Sequence, residues 1–143
     1  MTPPFQALVA QALAPLESPP AILSSVEFPS FDDAMVIVDD GSVLWRLIRE
    51  RSNVSLQAAA AAQSPEEWFD ASLLEAVCLG KTTDEKNTYP TRTLESAVAQ
   101  LIALRTVVRE SFTSNWKATR RRLQQTAAQW NESTMNRPAR FSS

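Results

Sequence analysis

The groups able to do chemistry are few and mostly acidic. Asp39 and Asp40 stand together after the apolar run Met35-Val36-Ile37-Val38, and Glu66, Glu67 and Asp70 fall within five residues of one another. Paired carboxylates can exchange a proton or hold a hard cation. Ordinary structural roles account for both groups. Asp39 and Asp40 suit the N-terminus of a helix through Val43, Leu44, Leu47 and Ile48, by capping and by the helix dipole. Glu66, Glu67 and Asp70 suit the first turns of a helix opened by the capping box Ser64-Pro65-Glu66-Glu67. The chain contains no histidine, which removes the commonest general base and the commonest transition-metal ligand. Cys78 is the single cysteine. It excludes an internal disulfide and, without a histidine to activate it, reads as an inert thiol near the Phe69–Val77 face. No catalytic residue, cofactor or metal site is expected, and the chain is read as a non-enzyme.

Val36-Ile37-Val38-Asp39-Asp40 resembles the first strand of response-regulator receiver domains, in which such a pair helps hold Mg²⁺ beside a phosphorylated aspartate. Arg46 and Leu47 extend the resemblance, which ends there. No second apolar strand closes on a phosphoacceptor aspartate, and no later strand leads to the lysine that receiver chemistry needs.

Charge is distributed unevenly. Residues 1–112 carry 8 basic and 15 acidic side chains, a net of −7, whereas residues 113–143 carry 6 basic and 1 acidic, a net of +5. On a helix, Lys117, Arg120 and Arg121 lie within about 100° of one another, with Arg109 near Arg120 and Arg122 on the opposite flank. Such a face can neutralise phosphates. The acidic body favours a solvated face or an acidic protein partner, with nucleic acid as the alternative.

The elements that would position these groups read as helices. Only 2 glycines occur in 143 residues, against 9 prolines, and 44% of residues are hydrophobic. Few glycines means few tight β-turns. Residues 2–14 form an amphipathic helix with Phe5, Leu8, Val9, Ala12, Leu13 and Leu16 on one face and no charge on the other. Pro15, Pro19 and Pro20 then lead into an extended connector. Residues 30–41 are ambiguous: Ser30 and Asp33 suggest a helix start, whereas β-branched Val36-Ile37-Val38 suggests a strand whose plausible partner is residues 22–28. Val54 to Gln63, with five consecutive alanines, reads as a short helix. Thr82 to Thr91 reads as a polar loop.

Residues 94–130 are predicted to form one helix capped by Thr91 or Thr93. Leu94, Val98, Leu101, Val108, Phe112, Trp116, Leu123, Ala127 and Trp130 trace one stripe, and the helix would be roughly 55 Å long, longer than its own domain can cover. Phe112, Trp116, Leu123 and Trp130 are accordingly the expected partner-binding residues. Arg109, Lys117, Arg120, Arg121 and Arg122 are the expected contacts to an anionic partner or nucleic acid. Arg105 falls inside the stripe, where a polar group can fix register.

The expected fold is therefore mainly α, a small helical bundle with one long C-terminal helix and at most a minor two-stranded β element near residues 22–38. Its organisation would be an N-terminal helix and Pro-rich arm (1–30), a helical body (31–112), and a basic helical extension with an irregular tail (113–143). The expected function is that of a non-catalytic assembly subunit docking into a larger particle, by analogy of architecture with connector or tail-type components of virions. Its partners would be other protein subunits, including copies of itself. No apolar run is long enough for a membrane span and no basic residue precedes Arg46, so neither a membrane segment nor a signal peptide is expected, and a soluble intracellular or particle-bound location is.

Overall fold

The computed structural model describes residues 3–28, 32–62, 67–80 and 93–135, with side chains as far as Trp130. Helix α1 (Phe5–Leu13) precedes five strands, β1 (Ala21–Phe28), β2 (Asp33–Asp39), β3 (Val43–Glu50), β4 (Asn53–Ala60) and β5 (Phe69–Asp70). Helices α2 (Ala71–Cys78), α3 (Leu94–Ser114) and α4 (Trp116–Met135) follow. The strands form one antiparallel sheet whose spatial order is the chain order, a meander with β1 and β5 at its edges.

This overturns the mainly α expectation. The 22–38 strand pair is the edge of a five-stranded sheet, and the helical bundle is an α/β two-layer fold. The first error lies at Asp40-Gly41-Ser42, which was expected to start a helix. It is the β2–β3 hairpin, with Gly41 at φ +85° and the Asp40 N–H donating to the Val43 carbonyl at 2.8 Å. Asp-Gly between apolar runs is a strong hairpin signal because a primed turn needs positive φ. The residues that follow fit both periods. Val43, Leu44, Leu47 and Ile48 share a helical face, yet Val43, Trp45 and Leu47 also alternate, and the structure buries that second set. In β4 the alternating Val54, Leu56 and Ala58 are buried, and the alanine run supplies strand rather than helix.

The β3–β4 turn explains why the second hairpin left no mark in the sequence. Arg51 and Ser52 join paired Glu50 and Asn53 with φ of 50° and 74°. Two successive positive φ values describe a type I′-like turn, ordinarily built with Asn or Gly. Here two residues with side chains occupy it.

The helices also differ in extent. The Ser64-Pro65-Glu66 part of the expected capping box, and the loop at Thr82 to Thr91, lie outside the described residues. Glu67 and Trp68 belong to no helix or strand, and α2 begins only at Ala71, with Gly80 at φ +68° just beyond its end. Thr93 caps α3 through a reciprocal box with Ser96. The single 94–130 helix is interrupted at Asn115 (φ −143°, ψ 37°), so the chain bends there, and α4 then runs on past Trp130 to Met135. The bend returns α4 to the body instead of projecting it.

One core joins all these parts. Strand residues Ala34, Val36, Val38, Val43, Trp45, Leu47, Val54, Leu56, Ala58 and Ala60 meet Phe5, Val9 and Leu13 of α1, Leu73 and Leu74 of α2, Leu101, Leu104 and Val108 of α3, and Leu123 of α4. Every one of these strand residues lies on the same face of the sheet by register. Leu123 is fully buried. Leu123→Ala should therefore lower unfolding free energy by about 2–5 kcal/mol in a denaturant titration, where an exposed position would change it by no more than about 0.5 kcal/mol. At the β3–β4 turn, Ser52→Gly should raise stability by up to about 1 kcal/mol, because it removes a side chain from a left-handed conformation.

Candidate functional site

Among the described residues, Asp40 is the buried charge. Its side chain is only 3% exposed, and two elements, α3 and β3, supply donors to it. Arg105 on α3 gives Nε to Oδ1 and Oδ2 at 3.0 and 2.9 Å and Nη2 to Oδ1 at 2.8 Å. Arg109, one turn further on, adds Nη2 to Oδ1 at 2.9 Å, and the Trp45 indole N–H donates to Oδ2 at 3.3 Å. Arg105 also donates to the carbonyls of Glu17 and Ser18 in the connector after α1. This cluster joins the β2–β3 turn, α3 and the connector. An open cleft of about 410 Å³ lies over it, lined by Pro19, Pro20, Asp39, Gly41 and Arg109 among others. Both carboxylate oxygens are fully engaged, so the cluster behaves as a lock and has no spare group for acid–base work.

The sheet has two unlike faces. One carries all the helices. On the other, register places Val26, Phe28, Met35, Ile37, Leu44 and Ile48 together with Arg46, Gln57 and Asp70. Among the described residues no helix packs on this face. Its β4–β5 side is polar: Arg46 donates Nε to Gln57 Oε1 at 2.9 Å, Gln57 donates to Asp70 at 3.2 Å, and the Arg46 guanidinium lies 4.3 Å from the Trp68 ring centroid. Partial burial pushes the Arg46 pKa down, against the pull of Asp70. Its β1–β2 side is apolar and open. Val26 and Phe28 are 41% and 55% exposed, and Leu23, at a register irregularity in the same strand, is 59% exposed. Asp33, Glu50 and Asp70 set an acidic rim around this face, with Arg46 as its basic member.

The residues expected from the sequence fall elsewhere. Phe112 and Leu123 are buried in the chain's own core, and Trp116 and Trp130 pack against it half-covered. Trp116 stacks edge-on against Phe112 and Phe69 at 5.0 and 6.4 Å. The stripe thus finds much of its cover within the chain, on α2 and β5, because the bend at Asn115 brings it there. The basic residues are dispersed. Arg109 is tied to Asp40, and Arg120 donates Nε to Glu67 at 2.7 Å, while Lys117, Arg121 and Arg122 are exposed. Asp39 caps the hairpin by accepting from the Gly41 N–H at 3.0 Å. Cys78 is half-buried, and burial pushes its thiol up despite Ser111 and Arg122 nearby. The described residues contain no group of His, Cys, Asp and Glu suited to a metal, and no helix among them is long and apolar enough to cross a membrane. The open-face residues Val26, Phe28, Ile37 and Ile48 were missed by sequence reasoning. Their alternation with Ser25, Glu27, Val36, Val38 and Leu47 was the available signal.

Comparisons with family models, with curated proteins and with solved structures find no match.

The Asp40 lock makes a stability prediction. Asp40→Asn or Arg105→Met should each destabilise by about 3–5 kcal/mol, since each leaves a buried charge without its partner. The double variant should lose clearly less than the sum. Arg109→Ala, which removes a half-exposed side chain, should cost no more than about 1 kcal/mol. Chemical denaturation of the four variants checks all three statements.

A second prediction concerns pH. The hydrogen bond from Arg120 holds the Glu67 carboxyl below its ordinary value, helped by Gln124 and opposed by slight burial. A depressed carboxyl pKa stabilises fully above the ordinary glutamate range and is lost as pH falls through the folded value. The exposed pair is worth at most about 1 kcal/mol. Arg120→Ala should lower the thermal midpoint slightly at neutral pH, and the difference from wild type should vanish as Glu67 is protonated in acid.

Proposed function

We propose that this chain is a non-catalytic assembly subunit that docks on neighbouring protein subunits through the open face of its sheet. The observation that carries the reading is the apolar β1–β2 side of that face, with Val26 and Phe28 exposed and Met35, Ile37 and Ile48 half-covered. Exposed apolar clusters rimmed by polar groups mark association surfaces. The acidic rim selects a partner segment with an apolar centre and basic flanks, and it disfavours nucleic acid on this face. The full engagement of the buried carboxylate supports a structural role over a catalytic one. A virion connector or tail component is one setting in which a small subunit of this kind works.

Exposed Lys117, Arg121 and Arg122 support a second reading, nucleic-acid binding along α4. Two of the five expected basic residues are already paired with acidic groups, which weakens it. Two experiments separate the readings. Complexes isolated from the native source with the tagged full chain should be lost with Ile37→Asp/Ile48→Asp, provided circular dichroism shows the variant folded. Retention of the same complexes would overturn the docking face. Salt-sensitive DNA binding that disappears when Lys117, Arg121 and Arg122 are changed to Ala would favour the second reading instead.

A further inference from the structure

We infer that the free edge of β1 pairs antiparallel with β1 of a second copy, so that two five-stranded sheets become one. The inference rests on the assembly reading and names one of its partners. β1 has β2 on one side and, among the described residues, no strand or loop backbone hydrogen-bonded along the other. Edge strands left open in this way are ordinarily protected by lysine, proline or an inward charge. Residues 21–28, Ala-Ile-Leu-Ser-Ser-Val-Glu-Phe, contain neither lysine nor proline, and their one inward charge, Glu27, is engaged by the Phe5 N–H of the same chain. Among the described residues, three of the five exposed large hydrophobic residues, Leu23, Val26 and Phe28, lie on this one strand.

Charge decides between a second copy and other occupants. The one charged side chain of β1 is Glu27, whose carboxylate accepts from the Phe5 N–H at 3.0 Å. Above β1 lies α1, anchored there by the hydrogen bond from Ser25 to Gln6 at 2.8 Å. Its outward residues Gln6, Ala7, Ala10 and Gln11 are exposed and uncharged. The edge of an otherwise acidic body is therefore a nearly neutral strip of strand and helix. It offers nothing to attract a basic partner, and a second acidic copy can approach along it without repulsion. Face-to-face stacking of two copies would instead bring their acidic rims, which include Asp33, Glu50 and Asp70, close together.

The strand is also self-complementary. Beyond the irregularity at Leu23, Ser24, Val26 and Phe28 share the open face, and Ser25 and Glu27 share the helix face. A two-fold axis through Val26 keeps the faces matched. It sets Val26 against Val26 of the second copy, Phe28 against the small Ser24, and Glu27 against Ser25, so no like charges are directly opposed. The two α1 helices then flank the seam with alanine and glutamine, which permit close approach. The apolar part of the open face becomes continuous across the pair.

Sedimentation velocity of the full chain over a dilution series is the test, joined to cysteine crosslinking in a Cys78→Ala background. Wild type should sediment as a dimer that dissociates on dilution. Val26→Lys, which sets two ammonium groups face to face on the axis, should raise the dissociation constant about a hundredfold with its circular dichroism unchanged. Ile102→Lys, at an exposed position on α3, should not change it. Val26→Cys should form a disulfide-linked dimer on mild oxidation, whereas Ile102→Cys should not. A wild-type chain that stays monomeric at its highest soluble concentration would overturn the inference, as would a dimer indifferent to Val26→Lys with no Val26→Cys crosslink. Neither result would touch the open-face reading, which is tested through Ile37 and Ile48 and does not need the dimer.

Discussion

A single buried carboxylate ties the architecture together. Asp40 sits at a hairpin tip that would otherwise be a solvated surface turn, and burial of its charge is offset chiefly by Arg105, with Arg109 and Trp45 completing its hydrogen bonds. That requirement fixes how α3 lies on the sheet. It also fixes the connector after α1, because Arg105 holds the carbonyls of Glu17 and Ser18 as well. Hydrophobic burial is non-directional and would allow the helix layer to slide. A charge with five directed hydrogen bonds does not, so the lock gives the two layers a defined register.

From that register follows the asymmetry on which the functional reading stands. The helices share one face of the sheet, and α4 is turned back by Asn115 to complete that layer around Leu123, Trp116 and Phe69. The opposite face keeps a polar half, where Arg46, Gln57, Asp70 and Trp68 satisfy one another, and an apolar half near β1. The exposed apolar surface thus lies on the sheet and its β1 edge, and the tryptophan stripe serves largely to close the body.

Parts of this were legible in the residues. The amphipathic pattern of α1, the Thr93 cap and the stripe from Leu94 to Phe112 rest on local spacing, which a sequence displays directly. Arg105 inside the apolar stripe was visible as an anomaly, but its partner lies 65 residues away, and no local rule connects them. The sheet was misread because Val43 to Ile48 satisfies both a helical and a strand period. Glycine scarcity was weighed against hairpins, although Asp40-Gly41 is itself a hairpin signal and Arg51-Ser52 turns without glycine. Ser114-Asn115 is only a weak break signal, with neither glycine nor proline, so the bend that decides where Trp116 and Leu123 are buried is outweighed by the continuous apolar stripe. The open face went unnoticed for the same reason as the sheet: without strands, Val26, Phe28, Ile37 and Ile48 share no side.

The order of the sheet has a kinetic meaning. Every strand pairs with its neighbour in sequence, so each hairpin closes a short loop and costs little chain entropy to form. The helix layer is different, because the Asp40–Arg105 contact closes a long loop. Chain entropy alone would have the meander assemble first and wait, with one face bare, for α3 and α4 to arrive. During that interval both faces of the sheet are open, one of them for good. A cell making this protein must shield the first face until the helix layer closes over it.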